Sequence, residues 1–145
     1  MKKMSVIAVE ADIEVGQTIF DVCHKIGLDV RVFHDALDAL MEAARSKPDS
    51  IAFDADTPVL GSLDFADVVS RDPQFRTVAL IAIIGEADAV AGRQNSSCGV
   101  SVAAKRSDAG NTLRRDLSRL LKAIVMRATR EERKAGHEAS TKGAA

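Results

Sequence analysis

The 145-residue chain has no tryptophan and no tyrosine, and phenylalanine occurs only five times. Any core it builds is therefore aliphatic, made of Val, Ile, Leu and Ala. Cysteine is scarce: Cys23 and Cys98 lie far apart and show no C-x-x-C or Cys/His ligand spacing. That argues against a disulfide framework or a cysteine metal site and fits free thiols in a reducing compartment. Neither sign of charge is in excess, and a formal net charge of −1 gives no whole-domain attraction to nucleic acid or to a membrane surface. Long apolar runs are missing as well. The opening MKKMSVIAVEAD has a basic flank, but acids follow its short apolar run too soon for a signal peptide. No stretch approaches the roughly 20 residues needed to span a membrane. Gly61 and Gly85 stand singly in loops, and no Gly-rich phosphate cradle is present. These absences predict a cytoplasmic protein with neither nucleic acid nor membrane as partner.

What is present is globular. With 46% apolar and 28% charged residues, the chain reads as one domain. A chain of this length buries about 70% of its unfolded surface. Four short apolar runs read as strands buried on both faces: SVIAV (5–9), SIAF (50–53), VALIAII (78–84) and VSVAA (100–104). A fifth, LDVRVF (28–33), alternates as a half-exposed edge strand does. Segments of helical period lie between them. Residues 14–26 carry Ile19, Phe20, Cys23 and Ile26 on one stripe, and 35–46 carry Leu37, Leu40, Met41 and Ala44. Residues 62–70 carry Leu63, Ala66 and Val69, and 86–94 carry Ala87, Val90 and Ala91. The last helix, about 108–130, carries Leu113, Leu117, Leu120, Leu121, Ile124 and Ala128. Five strand-helix alternations predict an α/β fold: a flavodoxin-like, doubly wound, five-stranded parallel sheet of order 2-1-3-4-5, with helices on both faces. The composition changes near Thr129, so residues 1–128 read as the domain and 129–145 as a charged, flexible tail or linker.

In such a sheet the binding crevice lies outside the carboxyl ends of the strands. Glu10, Asp54 and Lys105 follow three of those ends and should converge there. Two acids beside one lysine suit phosphate or divalent-metal chemistry, or a structural ion-pair cluster. His24, His34 and His137 are isolated and read as surface or boundary residues.

Taken together, SVIAVEAD, PDSIAFDADTPVLGS, SRDPQFRTVALIAIIG and CGVSVAAKRSDAGNTLRRDL resemble the receiver domain of bacterial two-component response regulators, over about residues 4–127. The resemblance implies that Asp54 corresponds to the phosphoacceptor and Lys105 to the phosphate-pairing lysine. It also exposes departures. A receiver holds Mg²⁺ with an acidic pair after the first strand and with the phosphoacceptor. Here that pair is Glu10 and Ala11, and Ala11 supplies no ligand. Asp12, one residue later, is placed to cap the first helix. Where the family has Thr or Ser at the end of strand four, this chain has Ile84, and its switch aromatic is replaced by Val102. The residue after the lysine is Arg106 instead of the usual cis-proline, and a cis bond without proline would cost about 3–4 kcal/mol, so the Lys105–Arg106 peptide is expected to be trans.

What survives is a nucleophile and a lysine, without the parts that position and stabilise a transferring phosphoryl group. The expectation is a pseudo-receiver: no enzyme, no resident cofactor or metal, signalling by protein contact without phosphorylation. Only Glu10, Asp12 and Asp54 remain as candidate metal ligands. Two other readings stay open: a working atypical receiver phosphorylated on Asp54 by a histidine kinase with Mg²⁺, and a small-ligand domain that has reused the crevice. The family's habit of pairing implies a protein partner or homodimer through the face of segment 86–94, strand 100–104 and the last helix, where Val125 and Met126 add apolar surface.

Overall fold

In the computed structural model, which describes residues 3–55, 58–60, 63–85, 100–104 and 110–143, strands and helices alternate. In chain order they are β1 (Ser5–Val9), α1 (Ile13–Ile26), β2 (Asp29–Phe33), α2 (Ala36–Ser46), β3 (Ser50–Asp54), β4 (Pro58–Leu60), β5 (Leu63–Asp64), α3 (Phe65–Arg71), β6 (Ala79–Ile84), β7 (Val100–Ala104) and α4 (Asn111–Gly143). The main sheet is parallel, in the order β2-β1-β3-β6-β7. With the small antiparallel pair β4–β5 set aside, this is the expected order 2-1-3-4-5, and LDVRVF forms an edge.

The period of two along each strand sorts the core into two layers. Val6, Ala8, Ala52, Ile81, Ile83 and Ala103 pack against Ile19, Val22 and Cys23 of α1 and Leu113, Leu117 and Leu121 of α4. Ile7, Val9, Ile51, Phe53, Leu80 and Ala82 pack against Ala36, Ala39 and Ala43 of α2 and Phe65 and Val69 of α3. Phe53 and Phe65 meet with ring centroids 5.2 Å apart.

Two helical stripes differ from the sequence expectation. On α2 the buried residues are alanines, while Leu37 and Met41 are 47% and 66% exposed. Small side chains let this helix lie close to the sheet, so the alanine stripe faces inward and the larger residues turn out. On α1, Phe20 is 41% exposed and stacks on His24, with centroids 5.9 Å apart. Close approach also governs α1 at Gly16, where a Cβ would meet Val32 Cγ1 at 3.2 Å. The helix ends at Gly27, whose φ of 91° suits glycine and whose N–H donates to the last carbonyls.

Two boundaries shift as well. Helix α3 starts at Phe65, because the β4–β5 pair occupies part of the segment read as helix from 62. The segment read as a flexible tail is helical through Gly143. Its Arg, Glu, Lys and Ala are strong helix formers, and helix propensity does not depend on the apolar stripe that ends near Ala128. At the β2 edge, Glu42 of α2 accepts from Arg45 and from Arg31, whose guanidinium lies 5.2 Å from the Phe33 ring centroid. The hydrogen bond from Arg45, aided by Arg31, holds the Glu42 carboxyl below its ordinary value. Among the described residues no helix is long and apolar enough to cross a membrane.

Candidate functional site

Parallel register fixes where the carboxyl ends fall. Val9 is opposite Phe53, Asp54 opposite Ile83, and Ile84 opposite Ala104. Glu10 and Asp54, the residues after Val9 and Phe53, therefore stand at neighbouring strand ends. Pairing continues past both strands: Glu10 N–H donates to Phe33 O and Ala55 N–H to Ile83 O, each at 2.9 Å. Glu10 continues the row of Val6 and Ala8, and Asp54 that of Ala52, so both belong to the layer covered by α1 and α4.

The two acids sit differently. Glu10 is 1% exposed and its Oε1 accepts from Asp12 N–H at 3.1 Å. Hydrogen bonding is what makes a buried carboxylate tolerable. Asp54 is half-buried. Asp12 caps α1 as the sequence suggests: its Oδ1 accepts from Glu14 N–H at 2.9 Å and Val15 N–H at 3.3 Å. Ala11 is exposed. Mg²⁺ requires near-octahedral oxygen ligation, and in the turn after β1 only Glu10 and Asp12 carry a carboxylate. One carboxylate is engaged at a helix terminus, one is buried against the same turn, and position 11 has none. Among the described residues no group of three or more His, Cys, Asp or Glu is arranged to hold a metal ion.

The opposite layer of this edge is apolar. Ile84 and Ala104 are buried, with Ala55 and Val102 packed against them. These four side chains form one aliphatic cluster with no hydrogen-bonding group. Lys105 and Arg106 follow Ala104 directly; they, their peptide bond and segment 86–94 lie outside the described residues.

Two further residues lie beside this edge. His34, just past β2, has Nδ1 2.8 Å from Glu10 O. A carbonyl only accepts, so Nδ1 carries the proton in this contact. Nothing in the pattern around His34 marks it; register alone brings it to β1. Asp116 of α4 is buried, and its Oδ2 accepts from Ala104 N–H at 3.1 Å, holding the end of β7 next to Lys105. Its signal was available: an acid among Leu113, Leu117 and Leu120 on the buried stripe. Cys23 lies in the core, where burial pushes its thiol up to about 12, so it is an unreactive thiol at neutral pH.

No family model matches the chain, and no curated protein does. Among solved structures, the fold is that of the receiver domains of response regulators. The REC domain of AraT, a response regulator from Geobacillus stearothermophilus, superposes with a TM-score of 0.71 at 15% identity, over 90% of this chain and 99% of that one. The chemotaxis response regulator CheY4 of Vibrio cholerae gives 0.68 at 19% identity, over 85% and 99%. A response regulator from Desulfuromonas acetoxidans gives 0.66 at 20% identity, over 88% and 97%. At these identities the likeness is one of fold.

Proposed function

We propose that the chain is a cytoplasmic pseudo-receiver of bacterial signalling, a protein-interaction module that works without phosphorylation or catalysis. The observation that carries this reading is the strand-end edge itself. Asp54 stands at the strand end where the sequence resemblance puts a phosphoacceptor, but Asp12 is engaged as a helix cap, Ala11 has no ligand atom, and Ile84, Ala104 and Val102 form an aliphatic cluster. A phosphoryl group on Asp54 would meet neither a second metal carboxylate nor a hydroxyl donor from β6. Its charge would be poorly compensated, and no aromatic at position 102 would relay its presence.

The partner, another protein or a second copy, is proposed to meet the face of segment 86–94, β7 and α4. Met126 is 59% exposed on that helix and Val125 only partly covered by the core. Capture of the partner from the native cell tests this reading. Asp54→Asn should bind as the wild type does, while Arg115→Glu or Arg119→Glu should lose partner with the circular dichroism unchanged. Undiminished binding by both Arg variants would move the interface elsewhere. Binding lost in Asp54→Asn would favour a working receiver, a reading that Glu10 and Asp54 at adjacent strand ends keep in play.

A further inference from the structure

The near-neutral whole hides a strong polarity. Residues 111–143 carry nine Lys and Arg against four Asp and Glu, a net +5, while residues 1–110 carry eleven against seventeen, a net −6. One of the four acids on the helix is the buried Asp116. Helix α4 is thus a basic rod laid on an acidic body.

Where α4 crosses α1, the two helices border an open groove of about 580 Å³. Its apolar part is Val22, buried, and Ile26, half-buried, both in the same layer as the core. Its charged part is Lys25 from α1 and Arg114 and Lys122 from α4, all exposed. The acid that also borders the groove, Asp21, accepts a hydrogen bond from Gln17 Nε2 at 2.8 Å along α1. An apolar strip flanked by cations from two elements complements an amphipathic ligand that carries carboxylates beside aliphatic side chains.

We propose that this groove docks an acidic amphipathic segment of a partner protein, with its apolar residues on Val22 and Ile26 and its carboxylates facing Lys25 and Lys122. Nucleic acid is the poorer fit, because the groove has an aliphatic strip and, among its described lining residues, no aromatic side chain on which a base could stack. A second copy meeting the groove through its own α4 would bring like charges together. The groove runs beside Val22–Ile26, in the second half of α1, whereas the carboxyl edge lies at the start of that helix. It is therefore a site apart from Asp54.

The test titrates the full chain with a synthetic helical peptide carrying Glu and Leu at i, i+4 spacing, with its Lys-for-Glu counterpart, and with single-stranded and duplex DNA oligomers, followed by amide chemical shifts. The acidic peptide should give saturating shifts at Val22, Ile26 and Ser118, weakened by added salt, and the basic peptide none. The double variant Lys25→Glu, Lys122→Glu, with both sites exposed and the fold retained, should weaken the acidic peptide by about tenfold or more. Asp54→Asn should leave that affinity unchanged, which separates this site from the crevice. Shifts that avoid the groove, indifference to the charge reversal, or tighter binding of the DNA would each overturn the proposal.

Discussion

Placing a carboxylate at position 11 tests most directly whether the strand-end acids hold a metal. In the wild type the carboxylates at hand are Glu10, Asp12 and Asp54. Asp12 holds two amides at the start of α1, and turning it toward a cation would forfeit an N-cap of about 1 kcal/mol, roughly a fivefold loss of affinity. Glu10 accepts from Asp12 N–H, so moving either residue disturbs the same turn. Mg²⁺ facing this donor set should bind in the millimolar range or more weakly, at roughly −4 kcal/mol or less favourable. Ala11 is exposed, so an aspartate there need not be buried, and one more hard ligand should tighten binding by about tenfold, near 1.4 kcal/mol. Amide shifts of Glu10 and Asp54 during Mg²⁺ titration measure this for the wild type, Ala11→Asp and Asp12→Ala. The last variant should lose about 1 kcal/mol of stability while its Mg²⁺ affinity stays within about twofold. Wild-type saturation at micromolar Mg²⁺, or no gain in Ala11→Asp, would refute the reasoning.

Burial raises the Cys23 thiol from 9.0 to about 12, so the folded state holds a proton that the unfolded state releases above its ordinary value. Stability should therefore fall as pH rises from about 9 toward 12, by up to about 1.4 kcal/mol per pH unit. Urea titrations across that range should show the slope, and Cys23→Ala should flatten it; a pH-independent wild type would contradict the assignment. Alkylation in a Cys98→Ser background should require unfolding. Asp116→Leu leaves the Ala104 N–H unsatisfied and should cost about 1–3 kcal/mol, whereas Asp116→Asn keeps an acceptor and should cost less. Equal losses in urea denaturation would mean that the hydrogen bond is not what Asp116 supplies. The Lys105–Arg106 peptide should be trans in an experimental structure, and a cis bond there would revive the preserved-site reading.

The sheet was legible because its strand signals are local. SVIAV and ALIAII are apolar nearly throughout, as strands buried on both faces are, and four such runs with the alternating LDVRVF, separated by helical segments, leave few topologies. Helix faces were less legible. Reading α2 by its largest apolar residues put Leu37 and Met41 inside, but three alanines allowed a closer and better buried contact. The extent of α4 was missed because the apolar stripe marks burial, while continuation to Gly143 rests on propensity. At the candidate site, Glu10, Asp54 and the cap at Asp12 could be read from position relative to strand and helix ends. Asp116 is marked only as an acid on the apolar stripe of α4, and His34 by nothing, and the partner of each is a backbone group distant in sequence, Ala104 N–H and Glu10 O. Only register and helix packing create those contacts.

The central proposal is that Asp54 does not accept a phosphoryl group. Incubating the protein with a small phosphodonor and Mg²⁺, then measuring intact mass, tests it most directly. The account predicts an unmodified chain, because Ala11 and Ile84 leave the charge on a phosphorylated Asp54 without its metal and its hydroxyl. A single phosphoryl adduct on the wild type that disappears in Asp54→Asn would contradict it.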